Sequence, residues 1–249
     1  AITEAINNLN TGEILLVAGK GHENIQEVGV KKIIFSDKKV ILNAIKIKNS
    51  SLSNDLKFNI LKELSEEKKL SSKITLKKAQ INSKEIKKGD IFFAIKGKKN
   101  DGNKFISEAF NKKASIAIVN KISKNNNIKH QIKVRDSLKF LTQSSKIYRK
   151  NINTKIVAIT GSCGKTTLKE LLGNSLKKLS KTSTSPKSYN NKYGVPLSLF
   201  NLNQKDDYGV IEIGMDKKGE IDYLSKIVQP DVSVITNINY AHAKNFKNL

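Results

Sequence analysis

Residues 160–167, "TGSCGKTT", combine the residue types that hold a polyphosphate. Gly161 and Gly164 allow a tight turn and close backbone approach to an anion. Lys165 can set a positive charge against phosphate oxygens, and the Thr166 hydroxyl can ligate Mg2+. Ser162, Cys163 and Thr167 complete the stretch as further binding candidates. The common phosphate-loop spacing asks for another glycine at position 159, where the chain has Ile159 in the apolar run "IVAI". Position still favours an anion site. "KIVAI" before the loop reads as a buried strand, and "TLKELLGNSLKKL" after it reads as a helix. At such a junction, backbone N–H groups and the helix N-terminus converge on one point. The bland alternative is a glycine turn capped by threonine, with Lys165 in solvent.

A nucleotide site also needs a carboxylate for its metal. Glu212 sits late in the apolar run "GVIEIG", where a charge costs free energy unless it is paired or on a metal. The competing reading is an alternating strand with Glu212 facing water. His242 follows "VSVITNINYA", past the end of the next strand candidate, and strand C-terminal ends are where ligands bind in open α/β sheets. Cys163 reads as a small residue filling a tight turn.

The elements that must position these residues fall into three segments. Residues 1–48 contain a strand candidate at 13–18, a glycine turn, a second strand in "KKIIF" and a helix N-cap at Ser36-Asp37. So short a segment is marginal alone. Residues 49–57, "NSSLSNDLK", read as a polar linker. Residues 58–150 read as a small α/β domain, with helix candidates in "LKFNILKELSEEKK", "KFISEAFNKKA" and the stretch after Asp136, and strands in "DIFFAI", "SIAIV" and "QIKV". Residues 151–249 alternate strands and helices and predict a parallel sheet, expected to be incomplete.

Composition narrows the function classes. The 249 residues carry a formal net charge of +24, which raises nucleic-acid binding. Against it, Arg135 and Arg149 are the only arginines, and no aromatics interleave with the dispersed lysines. No apolar run is long enough to cross a membrane. The single cysteine excludes an internal disulfide framework.

Taken together, "TGSCGKTT", "YNNKYGVPLSLFNL", "YGVIEIGMDKKGEI" and "QPDVSVITNINYAHAKNF" resemble, in order and spacing, the Mur ligases, which use a short Gly-x-x-Gly-Lys-Thr loop. Residues 74–119 resemble that family's UDP-sugar-binding domain. The resemblance implies a cytoplasmic, monomeric enzyme using ATP and Mg2+, without nucleic-acid or membrane partners. It would add D-alanyl-D-alanine to UDP-N-acetylmuramoyl tripeptide through an acyl phosphate. Thr166, Glu212 and His242 would serve the metal, Lys165 the phosphates, and Asn190 and Asn191 the reacting end of the sugar-peptide. Ser83 and Lys84 stand where the family has Ser/Thr-Arg, so the forked guanidinium contact is lost. "LLVAGKGHENIQ" and "IIFSD" resemble the C-terminal end of another Mur ligase, the one adding the third amino acid, with Gly19 and Glu23 as its amino-acid contacts. This implies a fused two-ligase chain. Other readings are a different phosphate-loop ligase or phosphotransferase, and a non-enzymatic nucleotide-binding module.

Overall fold

A computed structural model describes residues 1–9, 13–18, 25–65, 74, 76–97, 100–126 and 128–239. Contacts divide the chain into two compact units, Ala1–Asp55 and Leu56–Leu249.

The first unit contains helix α1 (Ile2–Asn8), the antiparallel hairpin β1 (Ile25–Val28) and β2 (Lys31–Ile34), and the start of α2 (Asp37–Ser65). Gly29, at φ +63°, makes the hairpin turn. Residues 13–18, expected as a strand, belong to no strand among the described residues. An apolar run becomes a strand only where a neighbour takes its N–H and C=O groups. Residues 49–57, expected as a linker, lie inside α2. Their serines and asparagines are mediocre helix formers, but no glycine or proline interrupts the turn-to-turn hydrogen bonds.

The second unit is α/β with two four-stranded parallel sheets. The smaller sheet runs β3 (Ala79–Gln80), β4 (Ile91–Phe93), β5 (Ile116–Val119), β6 (Gln131–Lys133) in spatial order. Its central strands β4 and β5 are buried on both faces, as parallel strands usually are. One face packs Phe92, Ala117 and Val119 against Ile106 and Ala109 of α3 (Ile106–Asn111). The other face joins the main core. Helix α4 (Ser137–Lys150) begins at Asp136, whose carboxylate accepts from the Leu138 and Lys139 amides as an N-cap should.

The larger sheet is built from β7 (Lys155–Thr160), helix α5 (Lys165–Leu179), β8 (Thr182–Thr184), helix α6 (Gly194–Phe200), β9 (Tyr208–Glu212), helix α7 (Glu220–Val228) and β10 (Val232–Ile235). Its spatial order is β10-β7-β9-β8, all parallel. The chain leaves β7 toward β8 and later returns to β7's other side as β10. The carboxyl end of β7 is therefore a topological switch point, where open α/β sheets form a ligand crevice.

One hydrophobic core serves both sheets of this unit. Phe93 and Ile118 of the small sheet, Leu141 and Tyr148 of α4, Phe200 of α6 and Ile156 and Ile211 of the large sheet belong to it. Phe200 meets Phe93 and Tyr148 edge-on, with ring centroids 6.2 and 5.4 Å away. The Tyr148 hydroxyl donates to the Leu202 carbonyl at 2.6 Å, and burial drives its pKa up. Arg149 ties α4 to the end of α7 and to β10. It donates to the Val228, Gln229 and Thr154 carbonyls and to Asp231, whose carboxylate also accepts from the Ile156 amide. That backbone donor leads the causes holding the Asp231 carboxyl below its usual range.

Lys57 is buried beneath this aromatic cluster. Its Nζ donates to the Lys77 carbonyl at 3.0 Å and lies 5.3 Å from the Phe200 ring and 5.6 Å from the Tyr148 ring. Burial, reinforced by Lys78 and opposed by Asp90, lowers its pKa from 10.5 to about 8. The folded state therefore binds this proton more weakly than the unfolded state. Stability from this group rises as pH climbs from 8 to 10.5 and is lost below that window. The two rings and the carbonyl return part of the cost. Lys57→Met is expected to stabilise the unit at pH 7 by roughly 1–3 kcal/mol. The gain should shrink toward zero above pH 10.5, as read by urea unfolding at the two pH values.

Candidate functional site

The loop after β7 turns on two left-handed glycines, Gly161 at φ +134° and Gly164 at φ +79°, and α5 starts at Lys165. Lys165, Thr166 and Lys169 share one side of α5 by helical spacing. The face of β9 toward α5 carries Glu212, opposite Ile159 of β7.

Glu212 is 1 % exposed, which rules out the reading that turned it to water. Its Oε2 accepts from the Thr166 hydroxyl at 2.9 Å, and its Oε1 from Asn190 Nδ2 at 2.7 Å. Its own amide donates to Ser185 Oγ at 3.0 Å. Lys169, 0 % exposed, lies with its Nζ 3.8 Å from Oε2. Thr166, Asn190 and Glu212, far apart in sequence, thus meet at one buried carboxylate. Two hard oxygens side by side, one of them anionic, suit Mg2+, which keeps its remaining positions for water and phosphate oxygens.

Lys165 has no carboxylate partner among the described residues. Its Nζ donates to the Gly161 and Ser162 carbonyls at 2.6 and 3.2 Å, so the charge stays inside the loop. The loop amides differ from the open cradle that the sequence suggested. The Ser162 and Cys163 N–H groups donate to Asn237 Oδ1 at 3.2 and 3.1 Å, and the Ser162 amide also reaches the Asn237 carbonyl. Asn237 Nδ2 contacts Cys163 Sγ at 2.9 Å, so Cys163 is an exposed hydrogen-bonded thiol rather than a turn filler. Ser162 Oγ exchanges hydrogen bonds with the Asn239 backbone. Thr236 Oγ1 donates to the Cys163 carbonyl at 2.6 Å. Thr167 is exposed on the first turn of α5.

Two cavities open from this point. One, of about 770 Å³, is lined by Lys165, Asn190, Asn191, Lys192, Met215 and Lys218 among others. The second, of about 470 Å³, is lined by Asn82, Ser83 and Lys84 after β3 and by Tyr189, Asn191 and Tyr193 before α6. Asn191 and Tyr193 line both. Asn191 also accepts from the Tyr193 and Gly194 amides, fixing the start of α6. Ser83 is buried and donates to Glu108 at 2.8 Å, while the Lys84 carbonyl accepts from Lys112. His242, Gly19 and Glu23 lie outside the described residues. No group of three or more His, Cys, Asp and Glu side chains is placed to hold a metal among the described residues.

Lys169, Ser185, Thr236 and Asn237 escaped the sequence reading. Lys169 had a signal: it interrupts an otherwise apolar or small stripe, Leu172, Gly173 and Leu176, that faces the sheet. Asn237 had none, because its role depends on β10 lying beside β7.

The Mur ligase family's catalytic domain matches residues 76–160, and the Mur ligase middle domain matches residues 159–249. Residues 76–249 belong to the Mur ligase family. The chain is 41% identical over 172 residues to UDP-N-acetylmuramoyl-tripeptide--D-alanyl-D-alanine ligase of Buchnera aphidicola, covering 68% of this chain and 37% of that protein. It is 30% identical to the Escherichia coli enzyme of the same name, over 71% of this chain and 38% of that one. Among solved structures, MurF from Acinetobacter baumannii superposes with a TM-score of 0.66 at 34% identity, over 76% of this chain and 42% of that one. The MurF ligase of Thermotoga maritima in complex with ADP gives 0.57 at 36% identity, over 67% and 38%. The chain spans about two fifths of the length of these relatives. Among the described residues, no helix of this Mur ligase segment is long and apolar enough to cross a membrane.

The two loop glycines are not equivalent. A Cβ on Gly161 would meet Thr236 Oγ1 at 2.1 Å, whereas on Gly164 the nearest atom lies at 4.0 Å. Gly164→Ala should cost about 1–2 kcal/mol, the ordinary left-handed penalty. Gly161→Ala should cost at least about 1 kcal/mol more, because it also pushes Thr236 off the Cys163 carbonyl. Thermal unfolding of the two variants side by side checks the order.

Proposed function

We propose that the second unit carries the nucleotide and sugar-peptide sites of an ATP- and Mg2+-dependent ligase. The proposed reaction joins D-alanyl-D-alanine to UDP-N-acetylmuramoyl tripeptide in the cytoplasm. The observation that carries the reading is Asn190. Its side chain holds Glu212 beside the phosphate loop, and the same residue lines the cavity that Lys165 shares with Asn191. The nucleotide end and the acceptor end of the site are therefore joined through one side chain.

In this reaction the γ-phosphoryl group of ATP passes to the terminal carboxylate of the tripeptide. The amine of D-alanyl-D-alanine attacks the acyl phosphate, and phosphate leaves. Positioning and charge stabilisation dominate such a transfer. Bound Mg2+ supplies positive charge against the phosphate oxygens, and Thr166 and Glu212 would hold it, with His242 as a further candidate. Lys165 exchanges its two backbone carbonyls for phosphate oxygens, a stronger, charge-assisted set of hydrogen bonds. Ser162 and Cys163 turn their amides from Asn237 to the anion for the same reason. Lys84 and Asn82 line the cavity that would take the polar end of the UDP-sugar, and Asn191 stands where that cavity meets the one beside Lys165.

Calorimetry on this chain tests the reading with a non-hydrolysable ATP analogue, Mg2+ and UDP-N-acetylmuramoyl tripeptide. Both ligands should bind. Lys165→Ala should weaken the nucleotide by ~10²-fold and leave the sugar-peptide within a few-fold. Glu212→Gln keeps the volume but removes the charge that a hard cation prefers, so nucleotide affinity should lose most of its dependence on magnesium. A phosphotransferase or simple nucleotide-binding module would bind the analogue and ignore the sugar-peptide.

A further inference from the structure

Beside Glu212 lies a second buried charge, one that the family's motif residues leave without a role. Lys169 sits on α5, three residues after Thr166, with a fully buried side chain. Its ammonium has three oxygens around it: the Lys187 carbonyl at 2.5 Å, Glu170 Oε1 at 3.1 Å and Glu212 Oε2 at 3.8 Å. The closest carboxylate is not the one that matters most. Glu170 is 52 % exposed, so solvent screens its attraction, whereas Glu212 is 1 % exposed and its attraction is screened far less. The hydrogen bonds to Glu212 from Thr166 and Asn190 come from neutral groups, which cannot offset a buried negative charge alone.

We propose that Lys169 is a positioning residue: it is the built-in countercharge that holds the Glu212 carboxylate against Thr166 and Asn190 while no cation is bound. The 3.8 Å gap suits that task. It is close enough to balance the charge through the protein interior, yet leaves Oε2 hydrogen-bonded, among the described residues, to Thr166, so a metal can approach without displacing an ammonium. Through the Lys187 carbonyl, the same ammonium fastens the turn that leads into Asn190. Lys187 holds φ +49° there, a conformation that a non-glycine residue keeps only when its surroundings require it. Lys169 touches neither cavity's lining, so it acts through Glu212 and the turn rather than on a ligand.

The pairing is tested by thermal unfolding of the whole chain in a double-mutant cycle, without and with millimolar MgCl2 as the probe. Lys169→Met should lower the midpoint by on the order of 10 °C, because it leaves a buried carboxylate unbalanced. Glu212→Gln should cost less. The double variant Lys169→Met/Glu212→Gln should unfold above Lys169→Met alone, since removing the second charge removes the penalty. If Lys169→Met does not fold, recovery of a folded double variant supports the proposal equally. A double variant whose loss equals the sum of the single losses, or which also fails to fold, overturns it. The magnesium arm separates this proposal from the functional reading on which it builds. Magnesium should raise the midpoint of Lys169→Met more than that of the parent chain, as the cation supplies the missing charge. A coupled cycle with no magnesium effect keeps Lys169 as the countercharge and overturns the assignment of Glu212 to the metal.

Discussion

A carboxylate with no access to water organises this molecule. Glu212 ends β9 on the face covered by α5, and a charge in that position is tolerated only when every lone pair and the charge itself are met. The groups that meet it come from three places in the chain: Thr166 and Lys169 from α5, Asn190 from the turn before α6, and Ser185, which takes the amide, from the end of β8. Each contact fixes one element against β9. The phosphate loop cannot shift without moving Thr166, and the wall of the larger cavity cannot shift without moving Asn190. A site for a cation and a frame for two ligand cavities are in this sense one structure.

The second constraint is the shared core. The cavity lined by Ser83 and Lys84 takes one wall from the segment after β3 in the small sheet and the other from the turn between β8 and α6, so its shape depends on how the two sheets are held. They are held by apolar packing through α4 and α6, with Phe93, Tyr148 and Phe200 at the junction. Asn201 adds a polar tie, accepting from the Ala79 amide and donating to its carbonyl. Arg149 is one of only two arginines in a chain whose positive charge is nearly all lysine. It is spent on a structural latch of backbone carbonyls and Asp231, where a planar fork of donors can serve several acceptors at once.

The loop itself is satisfied from within. Asn237 fills the amides of Ser162 and Cys163, and backbone carbonyls hold Lys165. These are neutral or partly neutral hydrogen bonds, each worth on the order of 1 kcal/mol net. A phosphate group offers charge-assisted replacements roughly twice as strong. The loop thus keeps its shape without ligand and still favours exchange when an anion arrives.

Much of this was legible from residue types and spacing. The strand–loop–helix at 155–179, the apolar runs that became β4, β5, β9 and β10, and the N-cap at Asp136 follow from local periodicity and side-chain chemistry, which act over a few residues. So did the candidacy of Thr166 and Glu212, because a charge in an apolar strand is anomalous wherever the chain folds. β3, β8 and α6 were not legible. β3 and β8 are two and three residues with no long apolar run around them, and α6 is seven residues buried on every side, so none carries a periodicity and their neighbours decide their conformation. The run at 13–18 shows the converse: an apolar run by itself does not make a strand. Whether Glu212 faced water or α5, whether Asn190 reached it, and that Asn237 filled the loop were settled only by the parallel order β10-β7-β9-β8. That order brings residues 22 to 75 positions apart within hydrogen-bond reach, and no local rule in the sequence can specify a meeting between segments so distant.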